Sequence, residues 1–121
     1  DEPLHAYAPD GAHAGPPAEW GPWVTYPRGS HTREVISAGL AAIGAPFAVV
    51  AESNQPEVLR EMGRLGMGWA VLPAAQAEAG AEPLARVRRR PVGVRRLVVA
   101  RRADVASDAA VDSLATVLAG T

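Results

Sequence analysis

The sequence contains no cysteine and no lysine, and its longest purely apolar runs are only a few residues long. Without cysteine the chain can form neither a disulfide nor a thiolate zinc site, and a reducing compartment is compatible with it. The short apolar runs predict no membrane span and no signal peptide. Because the first residue is Asp1 and not methionine, we expect the chain to be a piece of a longer protein.

The composition is that of a globular domain. With 121 residues, of which 48% are hydrophobic, the chain is long enough for one domain with its own core. We therefore expect a single domain over residues 1–121.

Arginine is distributed unevenly. Eight of the twelve basic residues fall between Arg86 and Arg102, although the formal net charge of the chain is -1. The run favours arginines that fringe a solvated strand. It is a weaker indication of nucleic-acid binding, because no aromatic residues are interleaved and the rest of the chain is acidic.

Residues 23–46 predict a strand, a tight loop and a helix. Trp23 and Val24 begin a short apolar strand, Ser30 is a good N-cap, and the amphipathic segment 31–43 ends at Gly44. The pattern then repeats, as an apolar strand over 46–51, a helix that Asn54 could cap, and a strand over 69–72. Short strand–helix–strand connections of this kind predict an α/β fold with a mostly parallel sheet flanked by helices, with 46–51 as a central strand.

The remaining segments are predicted less regularly. A strand over 4–8 has one apolar face, and a loop over 9–22 follows it. Segment 74–83 is irregular except for one helical turn at its start, and a turn at 91–93 precedes a strand over 97–100. A last helix carries an apolar stripe of Val111, Leu114 and Leu118.

Two helix starts that follow consecutive strands should open on the same edge of the sheet. Ser30 and Thr32 offer hydroxyls there, Arg28 offers charge, and the N–H groups of His31 and Thr32 are free donors for a carboxylate or phosphate. The alternative is that Ser30 and Asn54 only cap their helices. Both roles are compatible with one another.

Catalytic and metal chemistry are disfavoured. Ser30 and His31 are neighbours on a helix and diverge by roughly 100 degrees, so they do not form a nucleophile and base. The three histidines have no metal-ligand spacing. Gly66-Met67-Gly68 precedes its strand, whereas a dinucleotide-binding fingerprint follows one. We therefore predict no enzyme activity, no cofactor and no metal.

The ordered set of segments resembles the effector-binding domain of LysR-type transcriptional regulators. The resemblance is carried by WVTYPRGSHTREVISAGL, then by AVVAESNQPEVLREMGRLGMGWAVLP, and it extends from Glu2-Pro3-Leu4 to LVVARR before the last helix. It implies one lobe of a type 2 periplasmic-binding-protein-like fold. This lobe is the second lobe of the effector-binding domain, with the returning C-terminal strand and helix. On this reading the DNA-binding domain and most of the first lobe are absent.

The resemblance also implies a function. Members of this family are cytoplasmic bacterial transcription factors whose two lobes clamp a small effector, often an organic acid. Arg28, Ser30, His31 and Thr32 would contact it, with Asn54 and Gly68 nearby. The resemblance further implies a homodimer or higher homo-oligomer that uses helix 31–43, with DNA bound only through the absent winged helix-turn-helix and no membrane contact.

Two alternatives and one consequence remain at this point. The chain could instead be a lobe of a periplasmic-type solute-binding protein, or an enzyme of related fold if a catalytic pair were found. With the first lobe absent, the stripe on the last helix would be exposed, so we expect the chain to associate or to rearrange that helix.

Overall fold

The computed structural model describes residues 1–96, which form a sheet-and-helix domain. The helices and strands are β1 (Glu2–Tyr7), β2 (Trp23–Thr25), α1 (His31–Ala42), β3 (Val49–Glu52), α2 (Pro56–Arg64), β4 (Ala70–Pro73), α3 (Ala74–Ala77) and β5 (Gly93–Arg95). A single 3-10 turn, Pro17–Glu19, interrupts the long loop between β1 and β2. The predicted strand over 97–100 and the last helix lie outside the described residues.

The strands form a three-stranded antiparallel sheet in the order β4-β1-β5 and a two-stranded parallel sheet of β2 and β3. An isolated parallel bridge between Trp23 and Trp69 links the two. Two backbone hydrogen bonds reinforce this link, from Val24 N to Trp69 O and from Trp69 N to Pro22 O, each 2.8 Å long. The α/β class is confirmed, but the mostly parallel sheet is not, because β1 pairs antiparallel with both of its neighbours.

Two strands differ from their predicted environments. Segment 46–51 was expected to be a central strand, whereas β3 pairs only with β2 among the described strands, and its burial alternates. Val50 is 56% exposed there. Conversely, β1 was expected to have one apolar face, yet His5 and Tyr7 are buried as well as Leu4 and Ala6. Residues on both faces of β1 are therefore covered by the rest of the domain.

The helix starts were predicted with mixed success. Ser30 caps α1, and its Oγ accepts a 3.2 Å hydrogen bond from the Arg33 N–H. Asn54 does not cap α2, since the N-cap residue is Gln55, whose N–H donates to Ser53 Oγ. In this segment Leu59 is buried, whereas Leu65, directly after α2, is 63% exposed.

A cluster of three tryptophans closes the core where the two sheets meet. Trp69 stacks on Trp20 with ring centroids 5.7 Å apart and lies 5.9 Å from Trp23. Trp23 is fully buried, and its indole N–H donates to Pro46 O. These rings fasten the loop before β2 onto the sheet.

The end of the described chain departs from prediction by a few residues. The helical turn after Pro73 is present as α3, as expected. The last residue of the turn predicted at 91–93, Gly93, is the first residue of β5, which pairs with the first residues of β1. The sheet therefore gains its last described strand before residue 97.

Candidate functional site

The carboxyl ends of β2, β3 and β4 meet at one edge of the sheet, together with the first residue of β1 and the last of β5. This follows from the parallel register of β2 and β3, the antiparallel register of β1 with β4 and β5, and the parallel Trp23–Trp69 bridge between the two sheets. Helix α1 starts at this edge, directly after β2. In open α/β sheets such an edge is where ligands bind.

A cavity of about 480 Å³ opens beside the first turns of α1. It is lined by Arg28, Gly29, Ser30, Arg33, Glu34, Ser37 and Phe47. Gly29 has φ +88°, a backbone conformation that glycine adopts readily and that turns the loop into the helix. The lining therefore combines a loop, a helix start and one aromatic ring.

Arg28 supplies a positive charge to this cavity that is not neutralised within the described chain. Its side chain is exposed and makes no hydrogen bond or ion pair with any residue from 1 to 96. The first N–H groups of α1 add partial positive charge at the same place. Glu34 also lines the cavity, and its carboxylate disfavours an anion close to it.

Arg33 has a structural role. Its guanidinium Nη1 lies 2.7 Å from Glu52 Oε2 and 3.1 Å from Tyr26 O, and it packs 5.6 Å from the Phe47 ring centroid. It thereby ties α1 to the ends of β2 and β3. This fixes the wall of the cavity and leaves Arg28 as the cation available to a ligand.

Only some of the predicted site residues line the cavity. Arg28 and Ser30 line the cavity. His31 and Asn54 are exposed at the same edge of the sheet but do not line it. Thr32 is fully buried, and its Oγ1 accepts from Arg95, so its hydroxyl faces the protein interior.

Gly68 lies away from the other predicted site residues. It precedes β4 and lies beside the start of β2, at the opposite end of the strands from Ser30. A Cβ at this position would lie 3.0 Å from Pro22 O and 3.1 Å from Val24 Cγ1. The residue type is explained by the close approach of two strands.

Sequence reasoning missed a buried polar cluster behind the cavity. Arg95 Nε donates a 3.0 Å hydrogen bond to Glu2 Oε1, and Arg95 Nη1 lies 3.4 Å from Thr32 Oγ1. Arg95 is 5% exposed, whereas the sequence indicated a solvated arginine. Its partner is 93 positions away, so no local pattern could have paired the two.

Tyr26 completes this cluster. Its side chain is fully buried, and its hydroxyl has no hydrogen-bond partner among the described residues. Burial raises the pKa of Tyr26 to about 12, an effect that the Arg95 charge partly offsets. The phenol is therefore neutral at physiological pH, and its O–H can act as a hydrogen-bond donor.

Among residues 1–96, no group of three or more histidines and carboxylates could hold a metal ion. Within the same residues, no helix has the length and apolar character required to cross a membrane.

The comparisons with known proteins identify the family. The model described as the LysR substrate binding domain matches residues 1–121. No curated protein and no solved structure matches the chain. The matching family comprises ligand-binding regulatory domains of LysR-type regulators, with an α/β fold of the type 2 periplasmic-binding-protein kind. The match covers the whole chain, and the chain therefore belongs to the family of LysR substrate-binding domains.

Proposed function

We propose that this domain senses a small anionic metabolite and thereby controls transcription by a LysR-type regulator. The observation that carries the proposal is the cavity at the start of α1, where Arg28 has no partner among the described residues. A guanidinium beside a helix N-terminus suits a carboxylate or a phosphate. The alternative of a periplasmic solute-binding lobe receives no support from the family match.

The lining also limits the size and character of the ligand. A cavity of about 480 Å³ lies within the usual size range of small-molecule sites. Phe47 supplies an apolar surface, and Ser30 and Ser37 supply hydroxyls. We infer an organic acid with a short apolar body, whose carboxylate lies against Arg28.

Arg28→Gln is the cleanest test of this site. Thermal unfolding of the 121-residue chain is measured with a panel of monocarboxylates, dicarboxylates and inorganic phosphate. A ligand at 100 times its Kd stabilises the folded state by about 2.7 kcal/mol, which is a readily measured rise in Tm. The variant should lose that rise and keep the Tm of the unliganded protein, because Arg28 is exposed and makes no ion pair with residues 1–96.

The control is Arg89→Gln, which removes an exposed arginine that does not line the cavity. It should respond to the same acids as the natural chain does. An equal rise in Tm for Arg28→Gln and the natural chain would contradict the assignment. Ser30→Ala is less informative, since loss of the N-cap alone costs about 1 kcal/mol.

Pairing of copies through α1 stays a prediction. The C-terminal half of the helix exposes small residues, namely Ser37, Ala38, Ala41 and Ala42, whereas His31 and Glu34 are exposed near its start. Small side chains allow another helix to approach closely. The C-terminal stripe that was expected to drive association lies outside the described residues.

A further inference from the structure

Arg88, Arg89 and Arg90 form a bulge between two positions that are hydrogen-bonded to β1. Val87 N donates to Ala6 O at 3.0 Å, and Val92 N donates to Leu4 O at 2.7 Å. The acceptors are two residues apart on β1, whereas the donors are five residues apart. Residues 88–91 are therefore excluded from the ladder, and we call Arg88, Arg89, Arg90 and Pro91 the arginine bulge.

Both ends of the arginine bulge are fixed to the domain. On one side, Arg86 forms a β-bridge with Tyr7 and an ion pair with Glu78. On the other side, the chain runs directly into β5, which packs against α1. The bulge is thus a short, anchored projection rather than a long free loop.

The charges of the arginine bulge are not neutralised within the described chain. Arg89 and Arg90 are exposed and Arg88 is half-buried, and none of the three forms an ion pair or a side-chain hydrogen bond with residues 1–96. Most other arginines in this range do have such partners. These are Arg33, Arg60, Arg64, Arg86, Arg95 and Arg96.

The residues beside the arginine bulge favour duplex DNA over a protein or a single-stranded nucleic acid as its partner. A second cavity of about 480 Å³ lies here, and its lining is Arg86, Val87, Arg88 and Arg89. It offers a single apolar side chain and no aromatic ring. A protein interface needs an apolar or aromatic core, and single-stranded nucleic acid needs rings on which its bases stack. Phosphates of a duplex need only positive charge at the right place.

We infer that the arginine bulge binds the phosphate backbone of duplex DNA without reading its sequence, a contact beyond the winged helix-turn-helix that was expected to be the sole DNA-binding element. The inference rests on the proposed function to the extent that a transcription regulator operates close to DNA. Each guanidinium can pair with one phosphate, and the fixed ends of the bulge keep the three cations together. The contact would add to whatever affinity the rest of the regulator has for DNA.

The test is a titration of a fluorescein-labelled duplex of about 20 base pairs and arbitrary sequence, followed by anisotropy from about 20 to about 200 mM NaCl. The natural chain is compared with the triple variant Arg88→Gln, Arg89→Gln, Arg90→Gln. The variant should bind about tenfold more weakly or worse at the lowest salt concentration. The slope of log K against log salt concentration should decrease by about 2 to 3, since each phosphate contact contributes about 0.9.

A charge-matched control separates contact from net charge. The variant Ala18→Glu, Ala48→Glu, Ala75→Glu changes the net charge by the same three units at exposed positions and keeps the arginines. It should retain the salt slope of the natural chain. An equal loss of slope in this control, or no binding by the natural chain at the lowest salt concentration, would overturn the inference.

A competitor distinguishes DNA from an acidic protein segment. A polyglutamate peptide should displace the labelled duplex less effectively than unlabelled duplex does at equal charge concentration. Equal displacement would show that the bulge accepts acidic peptides, and the DNA assignment would then be wrong. The carboxylate panel is measured on the same variants. If the bulge variants do not affect DNA binding, the rise in Tm with carboxylates can still be attributed to Arg28. Likewise, absence of that rise leaves the result on DNA binding valid.

Discussion

Arg95 connects the start of the chain to the first turn of α1. It joins Glu2 to Thr32 across 93 and 63 positions of sequence, in a place where Arg95 itself is 5% exposed. A buried guanidinium is costly unless its charge is paired and its N–H groups have acceptors. Glu2 and Thr32 supply both requirements, so Arg95 stabilises the rear of the candidate site.

We expect Arg95→Met to lower the free energy of unfolding by about 2–3 kcal/mol, because Glu2 loses its charged partner in a partly buried place. Glu2→Gln together with Arg95→Met should recover part of that loss, since neither member of the double variant leaves a charge unpaired. Urea unfolding at neutral pH measures all three proteins, and the double-mutant cycle gives the coupling.

The adjacent arginine is the control. Arg96 lies 3.7 Å from Asp1, with side chains that are 78% and 63% exposed. Exposed pairs of this kind contribute about 0–1 kcal/mol, so Arg96→Met should change little. Equal effects at residues 95 and 96 would show that burial does not govern the contribution of Arg95.

The contrast between Ser30 and Arg95 shows which residues could be predicted. Ser30 was predicted as a cap because its acceptor role depends on a helix that begins at the next residue. Arg95 was assigned to a solvated run because its partners are distant in sequence and only the folded sheet brings them together. Sequence patterns therefore predict the role of a residue only when its partners are close to it in the sequence.

At the scale of elements, α1 and β5 approach unusually closely. Gly39 in the helix faces the backbone just before β5, where a Cβ would lie 2.1 Å from Val92 O and 2.7 Å from Val92 Cγ1. Gly93 faces Val35 in the same way, since a Cβ on Gly93 would lie 2.8 Å from Val35 Cγ1. Glycine at both places is therefore a packing requirement that sets the distance from helix to strand.

We expect opposite effects from the same substitution in the two long helices. Gly39→Ala should destabilise the domain by about 1–3 kcal/mol, because the methyl group meets backbone atoms that cannot move aside. Gly63→Ala in α2 should be neutral or stabilising by up to about 1 kcal/mol, because alanine has the better helix propensity. There the nearest atoms, Gly68 O and Leu84 Cδ1, are both 3.7 Å away.

Chemical denaturation of the two variants is the measurement, with the natural chain as reference. A stabilising Gly39→Ala would show that α1 can shift away from β5. The pair also illustrates a limit of sequence reasoning, which treats both glycines as helix-weakening residues. Only the contacts across the fold tell them apart.

For the molecule as a whole, the elements were predicted better than the way they pair. The alternation of apolar runs and caps located β2, α1, α2 and β4 within a few residues, because hydrophobic period and capping are local properties. The sheet was predicted to be mostly parallel, since short strand–helix–strand connections favour that arrangement. This prediction is wrong for β1, which lies between β4 and β5 and pairs antiparallel with both. Pairing between strands so far apart in sequence leaves no local pattern.

That central position of β1 gives the whole domain a pH-dependent stability. His5 is buried in β1, and burial followed by the Arg86 charge lowers its pKa below the ordinary value of 6.5. The carboxyl of Glu78 nearby has its pKa lowered below 4.5, first by the hydrogen bond from Arg86 and then by that from Tyr7. In both cases the unfolded chain binds a proton more readily than the folded one, so acid destabilises the fold.

The two groups act in different ranges of pH, which makes them separable. The contribution of His5 is fully present above pH 6.5 and declines as pH falls below it, whereas that of Glu78 declines only below pH 4.5. We expect His5→Gln to flatten the decrease in Tm between about pH 7 and about pH 5, while Glu78→Gln keeps that decrease and removes part of the loss at lower pH. The exposed His13 gives the matched control, and His13→Gln should follow the natural profile. If His5→Gln retains the decrease over that range, then protonation of this buried imidazole is not what couples acid to unfolding.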